Sequence, residues 1–215
     1  VLAVAVILLA IREPEKHTVD EARRPAISWN ELGTLPGSYW SAVVVGSVLT
    51  LARFSEAFLV LRARDVGLPL AWVPVVMVVM SAVYAASAYP AGVLSDRLQR
   101  RSVLAVGVAA LIGADLVLAL LPSWTGTMLG TVLWGLHMGF SQGLLAALVA
   151  DAAPARLRGT AFGVFNLICG AMMLLASVLA GELWDRYGAS TAFGVGGAIA
   201  AFGLLGLALI PDKRR

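Results

Sequence analysis

Five polar side chains stand in otherwise apolar stretches of this chain: Arg53, Glu56, His137, Gln142 and Asn166. Each type has a definite chemistry. An arginine offers a fixed fork of donors to an anion. A glutamate or histidine takes up and releases protons, the histidine near neutral pH. The two amides both donate and accept hydrogen bonds. Arg53 and Glu56 are three residues apart, so on one helix they share a face and can pair. Such a pair is either linked to a substrate or proton, or it is a structural ion pair that fixes its helix against a neighbour. His137 has Gln142 about a turn and a half further on. It serves proton exchange or is a histidine hydrogen-bonded in helix packing. Asn166 faces a cavity or bridges helices. A sixth group, Asp115, is expected in a packing or interface role.

Several chemistries have no support in the sequence. His17, His137 and Cys169 fall in different segments, so no metal-ligand cluster is expected. No phosphate-cradling P-loop and no G-x-S-x-G nucleophile elbow is found. The chain is therefore not read as an enzyme, and no cofactor or metal is expected.

Groups of this kind need a scaffold, and composition says which. Of 215 residues, 60% are hydrophobic and 13% are charged. A soluble domain carries about 25% charged residues. The mean hydropathy of +0.86 excludes disorder, which needs low hydrophobicity and high net charge. A single cysteine excludes a disulfide scaffold. The fold class expected is all-α, a polytopic bundle of membrane helices. Crossing a bilayer takes about 20 mostly apolar residues. Six such stretches are present, at 38–61, 70–91, 102–121, 125–150, 159–181 and 190–210. Residues 38–210 form a six-helix domain on this reading. Residues 1–11 are apolar but too few to cross a bilayer, and they read as the tail of a preceding membrane helix. Residues 12–37 are a charged linker and 211–215 a basic C-terminus. Because the chain starts on Val1, it is expected to be part of a larger protein.

The basic residues are distributed unevenly. Arg12, Lys16, Arg23, Arg24, Arg97, Arg100, Arg101, Arg156, Arg158, Lys213, Arg214 and Arg215 fall on one side of the spans. Arg62, Arg64 and Arg186 fall on the other, and Arg53 lies within a span. The positive-inside rule makes the linker and C-terminus cytoplasmic, in a multi-pass protein of the cell's inner membrane. It also accounts for the basic isoelectric point without a nucleic-acid partner. Trp40, Trp72, Trp124 and Trp184 fall at span ends, where amphipathic rings prefer the interface. Gly126, Gly130, Gly135, Gly139 and Gly143, and also Gly159 and Gly163, recur at helical spacing, as close helix packing requires.

The connections carry motifs. Between the second and third spans stand Gly92, Asp96, Arg97, Arg100 and Arg101, in the order G-x-x-x-D-R-x-x-R-R. Between the fourth and fifth stand Asp151, Pro154, Arg158, Gly159 and Thr160. Between the last two runs Gly181-Glu-Leu-Trp-Asp-Arg-Tyr-Gly188, and the first span holds Ala52-Arg-Phe-Ser-Glu-Ala-Phe-Leu59. In order, spacing and sidedness these resemble the major facilitator superfamily of secondary transporters, in its C-terminal six-helix half and in efflux-type bacterial members. Gln99 stands where that family's loop has a second glycine.

The resemblance implies helices seven to twelve of a twelve-helix fold, with the N-terminal six-helix half absent from this chain. It implies secondary transport of a small molecule by alternating access, coupled to protons, with efflux as the direction. It implies that helices seven and ten line the central cavity, which makes Arg53, Glu56, His137 and Gln142 candidates for substrate or proton binding, with Asn166 on helix eleven a further one. It implies that Gly92, Asp96, Arg97, Arg100, Arg101, Asp151, Arg158 and Gly159 form cytoplasmic gating connections, with Asp96 docking on the absent half. The alternative is a non-transporting scaffold subunit that uses the same fold within a larger complex. The partners expected are that half, a small-molecule substrate, protons and the lipid bilayer.

Overall fold

The computed structural model describes residues 32–209. The expected helix tail at 1–11, most of the linker at 12–37 and the C-terminus at 211–215 lie outside them. The helices described below all belong to the unit Leu35–Arg215. They are α1 (Gly37–Ala52), α2 (Ala57–Asp65), α3 (Val73–Arg97), α4 (Arg100–Leu120), α5 (Trp124–Ala152), α6 (Arg158–Tyr187) and α7 (Ala189–Leu209). Six spans result, each long and apolar enough to cross a membrane, because α1 and α2 together make the first, Gly37–Asp65.

Most of the helix boundaries have local causes. Ser123 caps α5, its side chain accepting from the Gly126 N–H at 3.1 Å. Gly188 ends α6 at φ +85°, a conformation suited to glycine. Pro154 follows α5 and opens a short 3-10 turn, Ala155–Leu157, before α6.

Three expectations need correction. The segment from Gly92 to Arg101 is not a loop. Gly92, Asp96 and Arg97 are the last turns of α3, Arg100 and Arg101 begin α4, and only Leu98 and Gln99 lie between. Helix does not stop where apolar sequence stops, and Arg97 in the last turn suits the negative end of the helix dipole. For the same reason Asp151 is on α5, Arg158 and Gly159 are the first residues of α6, and α6 runs through Glu182 to Tyr187. Second, Trp184 does not stand free at its span end, being half-buried. It packs within the bundle, 5.7 Å from Phe58 and 5.9 Å from Phe193 between ring centroids. Trp40, Trp72 and Trp124 are exposed at span ends as expected. Third, the first span is not one continuous helix: α1 stops at Ala52 and α2 starts at Ala57.

Packing follows the glycines. A Cβ on Gly135 would stand 2.6 Å from the Met80 carbonyl, and one on Gly107 would stand 2.9 Å from Phe140 Cβ. Gly135 therefore brings α5 against α3, and Gly107 brings α4 against α5, at distances only hydrogen permits. Gly126, Gly130 and Gly139 make similar approaches, whereas Gly143, Gly159 and Gly163 face open space. The core lies where α4, α5 and α7 meet the first span, around Leu104, Leu111, Leu118, Trp134 and Phe193. By contrast, α6 keeps much of its surface outward, including Leu167, Leu174 and Val178.

The ends of the helices sort the charges as the sequence suggested. The Tyr39 hydroxyl donates to the Ala161 carbonyl at 3.0 Å, which puts the starts of α1 and α6 at one end. Arg100 pairs with Asp151, which joins the start of α4 to the end of α5. Ser190 Oγ donates to the Ala119 carbonyl at 2.7 Å at the opposite end.

Candidate functional site

The break in the first span positions the site. Arg53 has extended backbone at φ −106° and ψ 103°, and its N–H turns back to the Thr50 carbonyl. The Ser55 N–H donates to Ser177 Oγ of α6 at 3.2 Å. Ser55 Oγ accepts from the Ala57 N–H at 3.3 Å at the start of α2. Neither proline nor glycine causes this break. A serine competing for backbone partners and an anchor on α6 hold it instead.

Extended backbone sends neighbouring side chains to opposite sides. Phe54 turns inward to Trp134, Phe58 and Phe193. Arg53 lines a cavity of about 40 Å³ with Thr50, His137, Ser141 and Gln142, and Leu49 and Leu145 complete it. His137 is 2% exposed. Its Nδ1 is 2.9 Å from the Gly107 carbonyl, which can only accept, so Nδ1 carries the hydrogen. Nε2 is the ring's other face, 3.5 Å from Ser141 Oγ. The Tyr84 hydroxyl of α3 donates to Gln142 Oε1 at 3.4 Å. The cavity thus joins a guanidinium at the break to an imidazole, an amide and hydroxyls from α1 and α5, with Tyr84 of α3 bonded to the amide. It can hold an anionic or hydrogen-bonding group and pass a proton between neighbours. A volume of about 40 Å³ is room for a water or two, not for a ligand of several hundred Å³. In this unit the cluster is therefore a wall.

Three of the five expected residues meet here: Arg53, His137 and Gln142. Glu56 does not line the cavity. It stands at the start of α2, half-buried, and among the described residues it makes no ion pair with Arg53. The helix break explains this, since the two do not share a helix face. Asn166 is exposed on α6 and does not line this cavity. Sequence reasoning missed Tyr84 and Ser141. Ser141 was within reach, because it follows His137 by four residues, which is one helical turn. It also missed Arg62, which was expected in a loop. Arg62 is on α2, 2% exposed, its Nη1 2.7 Å from Asp65 Oδ2.

At the basic end, Asp96, Arg97, Asp151, Arg158 and Gly159 are exposed. Arg100 also reaches the Ala147 carbonyl at 3.5 Å. A second cavity of about 830 Å³ opens here, lined by Ser38, Ser41, Arg101, Leu148 and Asp151 among others. So each of the two sets of motif residues contributes to one opening, through Arg101 and Asp151.

Residues 1–177 match the profile of the Major Facilitator Superfamily. The chain belongs to the major facilitator superfamily. It is 30% identical over 160 residues to an uncharacterised MFS-type transporter of Methanocaldococcus jannaschii, covering 70% of this chain and 39% of that protein. It is 26% identical over 152 residues to uncharacterised proteins of Mycobacterium bovis and Mycobacterium tuberculosis, covering 70% of this chain and 37% of each. The chain thus spans about two fifths of the length of these relatives. Membership in the superfamily makes the six spans those of a multi-pass membrane protein.

Proposed function

We propose that this superfamily chain acts as the C-terminal six-helix half of a secondary transporter, one that moves a small molecule by alternating access with proton coupling. The observation that carries the reading is the meeting of Arg53, His137 and Gln142 at a break in the first span. Broken membrane helices with polar groups at their ends are a recurrent way to build a midplane site. Ionisable groups in a membrane interior are too unfavourable to persist without use. The small volume on this side fits a site completed by a partner half. The family speaks for a transporter over an enzyme, and the lack of a nucleotide motif in the sequence speaks for secondary over ATP-driven transport. Efflux as the direction, the inner membrane as the location and a cytoplasmic basic end follow from the resemblance and the positive-inside rule.

The test is transport by this chain reconstituted together with its N-terminal half in vesicles with an imposed proton gradient. Arg53→Gln is expected to lower uptake or extrusion at least tenfold with an unchanged amount of folded protein. Loss of folded protein in step with transport would make Arg53 structural.

The basic end supplies the gate in this reading. Asp96 projects at the end of α3 and is exposed, available to a partner half, while the Arg100–Asp151 pair keeps α4 and α5 in register. Asp96→Asn is expected to slow formation of a double-cysteine cross-link across the cytoplasmic gap. An unchanged cross-linking rate would count against the gate.

A further inference from the structure

A fully buried carboxyl of the bundle lies outside the cavity. Asp115, on α4, is 0% exposed, and neither carboxyl oxygen has a hydrogen-bond partner among the described residues. It lies about 22 Å along α4 from Arg100, well away from the basic end. Its surroundings are closely built. A Cβ on Gly197 would stand 3.2 Å from Asp115 Cβ, so the α7 backbone comes right against it. A Cβ on Gly196 would stand 3.2 Å from Asp115 Oδ2, 3.3 Å from the Ala52 carbonyl and 2.9 Å from the Phe54 ring. One point on α7 therefore touches the carboxyl and both residues that flank Arg53. Ala52 is the last residue of α1, and its carbonyl lies past the last intrahelical bond of that half-helix.

We propose that Asp115 is a proton-binding site, loaded in this conformation and emptied when the break in the first span rearranges. An ionised carboxylate only accepts hydrogen bonds, and here it would face an apolar ring, α7 backbone and a carbonyl. A carboxylic acid has one O–H to give, and a freed carbonyl is a partner it can use. Unpaired charge in such a place is strongly unfavourable, whereas the neutral acid is tolerated. Among the described residues no salt bridge offsets it. Over Ala189–Leu207, α7 has no ionisable residue, and α4 has none between Arg101 and its end apart from Asp115. On α5 the ionisable groups are His137, held on the Gly107 carbonyl, and Asp151 at the far basic end. On α3 they are Tyr84, bonded to Gln142, Tyr89, and Asp96 and Arg97 at the basic end. At the break they are Arg53, turned to the cavity, and half-buried Glu56.

The step is one proton. Asp115 as the acid gives the carboxylate and a proton, which passes to water admitted as the break opens. Because Ala52 and Phe54 flank Arg53, motion of the cavity wall on substrate binding changes the surroundings of Asp115. The coupling consequence rests on the transport reading, but the proton site does not.

The test is infrared spectroscopy of the purified protein in lipid. A carbonyl band of a protonated carboxylic acid is expected at neutral pH, shifted in heavy water and lost in Asp115→Asn. A wild-type spectrum without the band, or an Asp115→Asn spectrum that keeps it all, overturns the proposal. A band lost on adding sodium chloride at fixed pH overturns it in favour of a metal-cation site. If Asp115→Asn does not fold, wild-type protein treated with an apolar carbodiimide decides. An adduct mapped to Asp115 supports the proton site, and an unmodified Asp115 overturns it. A band at Asp115 in a protein that transports nothing with its N-terminal half present would leave this site standing and sink the transport reading. Gradient-driven transport without the band would do the reverse.

Discussion

Arg53 and Phe54 are consecutive, yet they belong to different parts of the molecule. Arg53 enters a small polar cavity where His137 bonds Gly107 and Gln142 bonds Tyr84. Phe54 enters a packed aromatic cluster with Trp134, Phe58 and Phe193. On the polar side His137 and Gln142 have partners. On the packed side, among the described residues, Asp115 and the Trp134 indole N–H lack them. A continuous helix would turn these two neighbours by about 100°. Extended backbone turns them to opposite sides and separates chemistry from packing within one residue. The helix break is thus a sorting device as well as a potential hinge.

That contrast can be broken from either side. The largest effect on stability is expected on the packed side. Phe54 is 2% exposed, and Phe54→Ala should destabilise by about 3–5 kcal/mol, the usual range for a buried Phe cut to Ala. The midpoint of thermal unfolding in detergent would report it. On the polar side, Arg53→Gln should leave that midpoint almost unmoved, within about 0.5 kcal/mol, as expected of a site away from core packing. Equal destabilisation by the two would erase the distinction. Between these lies a comparison along α5. Gly135→Ala sets a Cβ 2.6 Å from the Met80 carbonyl and should cost about 1–3 kcal/mol by overpacking. Gly143→Ala meets open space and should be neutral or stabilise by up to about 1 kcal/mol through helix propensity. A reversed order would mean that α3 and α5 do not approach as described.

Much of the fold was legible in the sequence, because hydropathy over twenty residues is a strong signal and Ser123, Pro154 and Gly188 mark turns by known chemistry. The family was legible from the order of charged motifs between spans. The helix ends were not, because charged helical turns continue past the apolar border and hydropathy reads only that border. The break at Arg53–Glu56 was hidden too. It contains no proline or glycine, and its anchor, Ser177, is more than a hundred residues away. Part of the candidate site was found all the same, since an arginine, a histidine and a glutamine in apolar stretches are rare enough to single out. Glu56 was grouped with Arg53 only by assuming an unbroken helix. Tyr84 escaped notice because a tyrosine in a membrane helix is unremarkable until its partner is known.

The break itself can be probed directly. The chain has one cysteine, Cys169, so a Cys169→Ser background allows single cysteines to be placed at positions 53 and 54. Arg53 is half-buried and Phe54 is 2% exposed, so a small water-soluble thiol reagent should label Arg53→Cys faster than Phe54→Cys in the folded protein. Equal rates at the two positions, or faster labelling of the second, would contradict the sorting of these neighbours into a polar cavity and a packed core.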